Sequence, residues 1–172
     1  GEKIHDFSLK SIDEKNYNLS DISGKKGTLI MFICNHCPYV KAIIKELSST
    51  ALELKKYDIN SVAIMSNDTI NYPEDSFENM KKFAEQNNFS FPYLFDETQE
   101  IAKKFGAVCT PDFFGYNSNY ELQYRGRLRE MKDLVPIENG KNELMEAMIE
   151  ISKSKNGPSN QFPSMGCNIK WK

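Results

Sequence analysis

Two cysteines, a histidine and a proline stand together within five residues of the chain: Cys34, His36, Cys37 and Pro38. Cysteine attacks as the thiolate, and a helix N-terminus stabilises that anion through its unpaired N–H groups and its dipole. Proline is favoured at the first position of a helix, because its missing N–H would be unpaired there anyway. Pro38 therefore predicts a helix that begins at residue 38, with Cys37 as its N-cap and as the better candidate for a nucleophile.

The residues just before Cys37 each have two interpretations. Cys34 forms a Cys-x-x-Cys pair with Cys37 and could resolve a disulfide from the loop side. Alternatively, Cys34 is a small buried residue at the end of a strand. His36 could polarise a thiol, or it is simply an exposed loop residue. Both alternatives stay open at the level of the sequence.

A third cysteine, Cys167, lies in the last part of the sequence. The ten-residue span from Gly157 to Cys167 reaches at most about 33 Å, which is enough for this segment to fold back over a domain. Cys167 could then resolve Cys37 through a disulfide. The alternative is a bystander thiol on a segment that Ile169 and Trp171 hold in place.

Two further groups of polar residues are candidates for supporting roles. The loop after the second apolar run carries Asn67, Asp68 and Tyr72, and it should open on the same edge as the Cys37 loop. The segment YRGRL carries Arg125 and Arg127. An arginine beside a thiolate could lower its pKa or polarise a peroxide, but the same residues could be ordinary surface charges.

Metal binding is a third interpretation of the same residues. Cysteine and histidine are soft ligands suited to Cu(I) or Zn(II), and Cys34, His36 and Cys37, with Cys109 or Cys167, could supply them. Ligands spaced this tightly do not easily point at one ion, and a second Cys-x-x-Cys pair is absent. We therefore expect no bound metal and no other cofactor.

The elements that must position these residues alternate between strand and helix patterns. Three apolar runs predict buried strands: TLIMFI (28–33), INSVAIM (59–65) and FPYLFD (91–96). A stripe of apolar residues at helical spacing follows each run, and Asp96 and Gly106 are the predicted N-cap and stop of the third helix. DFFGYN and YELQYRG predict a hairpin, and a last helix follows. This order predicts a layered α/β sheet with an antiparallel edge.

The length and the charge of the chain limit the possible classes of protein. A chain of 172 residues is most simply one domain, which we place at 1–153, with 154–172 as a C-terminal tail packed on it. The apolar residues of this tail argue against disorder. A formal net charge of −2 gives no electrostatic case for binding nucleic acid or a membrane surface.

The cysteine content and the apolar runs bear on the compartment. Four cysteines are too few for a framework of disulfides, and no apolar run is long enough to span a bilayer. No signal peptide is visible. We expect a cytoplasmic protein, with a periplasmic or exported one as the alternative because the sequence starts at Gly1.

Several strings of the sequence together resemble one family. These are FICNHCPYVK, NDTINYPEDS, FPYLFDETQEIAKKFGAVCTPDFF, LQYRGR and the terminal GCNIKW. They resemble the thioredoxin-like, peroxiredoxin-like proteins of the alkyl hydroperoxide reductase and thiol-specific antioxidant (redoxin) superfamily, over nearly the whole chain. The resemblance implies a thioredoxin-like fold with an N-terminal β extension and a redox-active thiol.

The resemblance also implies roles for particular residues. Thr110-Pro111 matches the cis-proline loop, which faces the active cysteine and whose preceding residue can pair with an extended substrate. Cys109, two residues before that proline, either approaches the site or is an ordinary buried cysteine. Val40 stands where thioredoxin-like reductases carry their second cysteine, and the Pro-x-x-x-Thr-x-x-Cys pattern of typical peroxiredoxins is absent.

We therefore expect a thiol–disulfide oxidoreductase in which Cys37 attacks and Cys34 or Cys167 resolves the mixed disulfide. The alternative is a thiol-dependent peroxidase, in which Cys37 is first oxidised to a sulfenic acid. The expected partners are a protein or small-molecule disulfide or a peroxide, together with a thiol reductant.

Overall fold

The computed structural model describes residues 1–172, and it contains eleven strands and five α-helices. The strands are β1 (Ser8–Ser11), β2 (Asn16–Asn18), β3 (Gly27–Phe32), β4 (Ile59–Met65), β5 (Tyr93–Phe95), β6 (Cys109–Thr110), β7 (Asp112–Asn117), β8 (Leu122–Gly126), β9 (Met131–Lys132), β10 (Val135–Pro136) and β11 (Cys167–Asn168). The helices are α1 (Leu19–Ile22), α2 (Pro38–Leu54), α3 (Phe77–Gln86), α4 (Glu100–Phe105) and α5 (Glu143–Ser154). Two short 3₁₀ turns span Lys55–Tyr57 and Pro73–Asp75.

Seven strands form one mixed sheet, in the order β2–β1–β5–β4–β3–β7–β8. β3 pairs in parallel with β4 and antiparallel with β7, so it has a partner on each side. β4 continues in parallel to β5, while the β1–β2 and β7–β8 hairpins make the two edges antiparallel. This arrangement confirms the predicted central mixed sheet and its N-terminal β extension.

The sheet is covered on both faces, because its central strands are apolar on both faces. All six residues of β3 are buried. Leu29 and Met31 face a core that includes apolar residues of α2, α3 and α5. Ile30 and Phe32 face a second core that includes residues of α4. None of the helices has the length and apolar character needed to cross a bilayer.

Helix α2 begins where the sequence predicted. Cys37 is its N-cap, with extended backbone angles, and Pro38 is its first residue. The apolar stripe of the helix is buried against the sheet, including Val40 and Leu47, which are fully buried. Because β3 ends at Phe32, Cys34, His36 and Cys37 all lie in the short segment between this strand and α2.

The N-cap prediction for α4 was wrong by three residues. The helix begins at Glu100, and its N-cap is Gln99, which adopts a left-handed backbone with φ of 68°. Asp96 still caps the start of this helix, because its carboxylate accepts hydrogen bonds from the free N–H groups of Ile101 and Ala102 at 3.3 and 2.9 Å. Gly106 ends the helix in a left-handed conformation, as predicted.

The segment after α5 returns across the domain and pairs with β6. Cys167 lies opposite Thr110, and Asn168 lies opposite Cys109, in an antiparallel two-stranded sheet. The next residue, Ile169, is buried in the core beside α4. The last residues of the chain therefore lie against the loop that contains Cys37.

Candidate active site

Cys37 is held at the start of α2 and is completely buried. Its carbonyl oxygen accepts hydrogen bonds from the N–H groups of Val40 and Lys41, which fixes the first turn of the helix. Its sulfur lies 3.4 Å from the carbonyl oxygen of Thr110. The peptide bond between Thr110 and Pro111 is cis, as the resemblance implied.

The sulfur of Cys167 lies directly against the sulfur of Cys37. The two Sγ atoms lie 2.8 Å apart, compared with about 2.05 Å in a disulfide bond, and both residues are free thiols. The strand pair β6–β11 creates this contact, because it places Cys167 directly opposite Thr110. The structure thus brings together two cysteines that lie at opposite ends of the sequence.

Cys34 lies on the core side of the same site. It is almost completely buried, and its sulfur lies 3.5 Å from the hydroxyl oxygen of Thr110. Thr110 therefore contacts Cys34 through its side chain and Cys37 through its carbonyl. Both sequence interpretations of Cys34 have some basis here, because it is buried at a strand end and also adjoins the nucleophile candidate.

The environment of the cysteines lowers the pKa of Cys37 and raises the pKa of Cys34 and of Cys167. The Cys34 thiol lowers the pKa of Cys37 by donating toward its sulfur, and the Cys167 thiol and the N–H of Val40 add to this effect, while burial opposes it. The same contact with Cys37, together with burial, raises the pKa of Cys34 far above that of an ordinary thiol. Burial and then the contact with Cys37 raise the pKa of Cys167.

A buried carboxylate organises the loop around His36. Asp75 is completely buried, and it accepts hydrogen bonds from the N–H of Asn35 at 2.8 Å and the amide of Asn67 at 2.9 Å. His36 Nδ1 lies 2.7 Å from the carboxylate, within ion-pair distance, although its N–H is not aligned for a hydrogen bond. Tyr72 stacks on the His36 ring, with centroids 6.1 Å apart.

Asp75 is the site residue that sequence reasoning missed. It stands in the loop segment PEDS beside Glu74, which is exposed, and nothing in the local pattern separates the two acids. One feature of the sequence did point to this region, because the loop that carries Asn67 was predicted to open on the same side as Cys37. The structure connects that loop to the site through Asp75.

The possible metal ligands are arranged differently from the predicted set. Cys34, His36 and Asp75 each offer one ligand atom, and these atoms lie within 4.8 Å of one another. Asp75 belongs to this group, whereas Cys37, Cys109 and Cys167 of the predicted set do not. The Asp75 carboxylate accepts two hydrogen bonds and Cys34 adjoins Cys37, whereas His36 Nδ1 has no aligned hydrogen-bond partner.

Cys109 and the two arginines lie beside the site without contacting its sulfurs. The Cys109 sulfur lies 3.9 Å from the carbonyl oxygen of Pro111, and burial raises its pKa to about 11. Arg127 forms a two-point hydrogen bond with Glu143, at 2.8 and 3.0 Å. Arg125 bonds to Asp112 and to the carbonyl of Gly106.

A cavity of about 450 Å³ opens beside Pro111 and the first turns of α2. Most of its lining is apolar, and it includes Tyr39, Ile43, Leu128, Met131, Leu134 and Met165. Arg127, a predicted site residue, contributes to its wall. This mostly apolar cavity therefore adjoins the cis-proline loop.

Comparisons with known proteins agree with this fold. The model of the AhpC/TSA family matches residues 1–131. No curated protein matches the chain. A solved structure of an uncharacterized conserved protein from Geobacillus kaustophilus is 42% identical, with a TM-score of 0.95 over 100% of this chain and 92% of that chain.

Two further solved structures extend the comparison. A hypothetical protein from Sinorhizobium meliloti 1021 is 33% identical, with a TM-score of 0.93 over 100% of this chain and 94% of that one. A putative protein disulfide isomerase from Bacteroides thetaiotaomicron is 18% identical, with a TM-score of 0.69 over 90% of each chain. The last similarity is one of fold, and it confirms the thioredoxin-like architecture.

Proposed function

Since the chain belongs to the AhpC/TSA family of thioredoxin-fold redox proteins, we propose that it is a thiol–disulfide oxidoreductase with Cys37 as nucleophile and Cys167 as resolving thiol. The observation that carries this proposal is the contact between the two sulfurs at 2.8 Å, made by a strand docked on the cis-proline loop. Cys34 is a positioning residue, because its thiol stabilises the Cys37 thiolate from the core side.

The reaction proceeds by two thiol–disulfide exchanges. The Cys37 thiolate attacks one sulfur of the substrate disulfide, so that a new S–S bond forms while the second substrate sulfur leaves as a thiolate and takes up a proton. Cys167, deprotonated, then attacks the Cys37 sulfur and expels the first substrate thiolate. The substrate gains two electrons, the Cys37–Cys167 pair loses two, and an external thiol reductant restores the dithiol.

The lowered pKa of Cys37 and the raised pKa of Cys167 suit these two roles. A nucleophile must be ionised before the substrate arrives, whereas a resolving thiol is needed only after the mixed disulfide has formed. Burial is the larger cause of the raised pKa of Cys167, and the contact with Cys37 is the second. Once Cys37 is bonded to substrate, its negative charge is gone, and this second cause goes with it. The resolving thiol therefore becomes easier to ionise when it is required.

A thiol peroxidase is the second candidate, and one observation favours it. Cys37 is completely buried beneath the tail, so a small hydroperoxide has easier access to it than a protein disulfide. The thiolate would take one peroxide oxygen to become a sulfenic acid, with an alkoxide or hydroxide leaving and taking up a proton. Cys167 would then displace water and form the same Cys37–Cys167 disulfide.

The test compares two substrates and three variants. Turnover of a small model disulfide and of hydrogen peroxide, each with a dithiol reductant, is measured for the wild type, Cys37→Ser, Cys167→Ser and the control Cys109→Ser. We expect Cys37→Ser to reduce disulfide turnover about 100-fold or more, and Cys109→Ser to leave it unchanged. Turnover of peroxide alone would favour the peroxidase, and activity that persists in Cys37→Ser would overturn both candidates.

A further inference from the structure

The strand β11, near the end of the chain, pairs with β6, a short strand that has no other strand partner. Cys167 and Asn168 pair with Thr110 and Cys109, and the N–H of Ile169 donates to the carbonyl of Val108 at 2.9 Å. These two strands form a sheet of their own, separate from the seven-stranded sheet. An unpaired edge of this kind can accept any extended peptide through main-chain hydrogen bonds.

The edge selects side chains at two positions of the added strand. At Gly166 a β-carbon would overlap the carbonyl oxygen of Thr110, so the residue before the cysteine must be glycine. Ile169, two residues after the cysteine, is only 3% exposed and belongs to the core beside α4. Asn168 between them is exposed and unrestricted. The site therefore fits a Gly-Cys-x-aliphatic segment.

All the hydrogen bonds of the next residue, Lys170, are made by its backbone. The N–H of Lys170 donates to Asn67 Oδ1 at 2.9 Å, and its carbonyl accepts from the N–H of Asp68 at 2.8 Å and the Gln99 amide at 2.9 Å. Main-chain contacts do not depend on the side chain, so a different polypeptide could make them. Asn67 also donates to Asp75, which joins this end of the site to the active loop.

The docked tail also covers Cys37. Cys37 has no exposed surface while Cys167 lies against it, so no protein disulfide can reach the Cys37 sulfur in this arrangement. A substrate cysteine whose sulfur is to bond with the Cys37 sulfur must therefore occupy the position of Cys167. The same main-chain edge, the same glycine position and the same apolar recess are then available to the substrate strand.

We propose that the edge formed by Val108–Thr110, with the recess that holds Ile169, is a binding site for extended Gly-Cys-x-aliphatic segments of partner proteins, and that residues 166–170 fill it in their absence. This inference rests on the proposed function, since it names the substrate class of the same site. Substrate and tail exchange places: the partner strand displaces the tail to form the mixed disulfide, and the returning tail expels the partner strand during resolution.

The test uses the full chain with Cys167→Ser, which keeps the tail but removes its sulfur. The probe is a peptide of residues 164–172 whose cysteine carries a 2-thiopyridyl disulfide. Attack by the Cys37 thiolate forms the Cys37–peptide disulfide and releases 2-thiopyridone, whose absorbance gives the rate. Two matched peptides carry Gly166→Val or Ile169→Asp, and 2,2′-dithiodipyridine serves as a small reagent that requires no strand pairing.

We expect the parent peptide to react about tenfold or more faster than either altered peptide, because each change removes one selected contact. Equal rates for the three peptides would overturn the inference while leaving Cys37 as a nucleophile, provided that the small reagent reacts. Failure of the small reagent as well would overturn the proposed function itself. The two failures are therefore distinguishable.

A second arm changes the chain instead of the peptide. In the Cys167→Ser background, Ile169→Asp should weaken tail docking and raise the rate with the parent peptide about tenfold. The matched control is Ile70→Asp, which makes the same chemical change at a side chain that is 83% exposed. If Ile169→Asp and Ile70→Asp give the same peptide rate, the tail does not compete for the edge, and the inference is overturned.

Discussion

The sulfur atoms of Cys37 and Cys167 lie 2.8 Å apart, although 130 residues of chain separate the two cysteines. This contact depends on one strand pair, because β11 positions Cys167 opposite the residue that precedes the cis proline. A Cys-x-x-Cys segment normally suggests that its two cysteines pair with each other. Here the contact favours a partner from the other end of the sequence.

The first prediction is that mild oxidation of the reduced protein produces a Cys37–Cys167 disulfide. Only a small approach of the two sulfurs separates the observed contact from a bond, whereas the Cys34 sulfur lies 3.5 Å from the hydroxyl oxygen of Thr110. Peptide mapping by mass spectrometry under non-reducing conditions identifies the pair. A map dominated by Cys34–Cys37 would contradict this assignment, and Cys109→Ser should leave the map unchanged.

The second prediction concerns the thiolate titration of the reduced protein. Because the pKa of Cys37 is lowered, its thiolate should be present above an unusually low pH and should disappear only as the pH falls through that lowered pKa. Far-ultraviolet absorbance of the thiolate measures this transition. Cys37→Ser should abolish it, and Cys34→Ala should move it to higher pH, since the Cys34 thiol contributes most to the lowering.

The same titration should separate the two chemical steps. Cys37 attack should be independent of pH from the neutral range upward. Resolution should accelerate toward alkaline pH, because burial, the larger cause of the raised pKa of Cys167, still acts when the docked tail attacks. Rapid mixing with a chromogenic disulfide follows both steps in one experiment. A transition at the ordinary thiol pKa for both steps would contradict the proposed division of roles.

The third prediction is that Asp75→Ala destabilises the protein by about 3 kcal/mol, because two buried donors lose their acceptor. These donors are the N–H of Asn35 and the amide of Asn67. Denaturant unfolding gives the change in the free energy of unfolding. The neighbouring control, Glu74→Ala, removes an exposed carboxylate and should change that free energy little; equal effects would show that Asp75 does not organise this loop.

The fourth prediction concerns the close approach of Gly166 to Thr110. Gly166→Val should displace the tail, because its side chain would overlap the Thr110 carbonyl. We expect formation of the Cys37–Cys167 disulfide to slow about tenfold or more, as measured by quenched alkylation and mass spectrometry. Asn168→Ala, which alters an exposed side chain of the same strand, should leave the rate unchanged; a similar loss in both variants would argue against a specific steric cause.

The sequence allowed the fold and the position of Cys37 to be predicted, because both depend on local patterns. Apolar runs identified the buried strands, and Pro38 identified the start of α2. The contacts that complete the site could not be predicted in the same way. The short strands β6 and β11 have two residues each, too few for a recognisable period, and their pairing joins distant parts of the chain.

Burial of individual polar residues was equally hard to predict. Asp75 and Glu74 are adjacent acids in one loop, yet one is completely buried and the other exposed, and only tertiary contacts distinguish them. Asp96 was correctly associated with the start of α4, but its carboxylate reaches across a turn whose left-handed residue, Gln99, gives no sequence signal. Arg127 was proposed near a thiolate, and the structure instead pairs it with Glu143.

The tail also carries the only tryptophan of the chain, Trp171. Its side chain is 40% exposed, and the Lys103 ammonium lies 5.5 Å from the centre of its ring. Undocking of the tail would remove this cation and place the indole fully in water. Intrinsic tryptophan fluorescence is therefore a label-free optical signal for the position of the tail, and it can be followed in real time while the cysteines change their oxidation state.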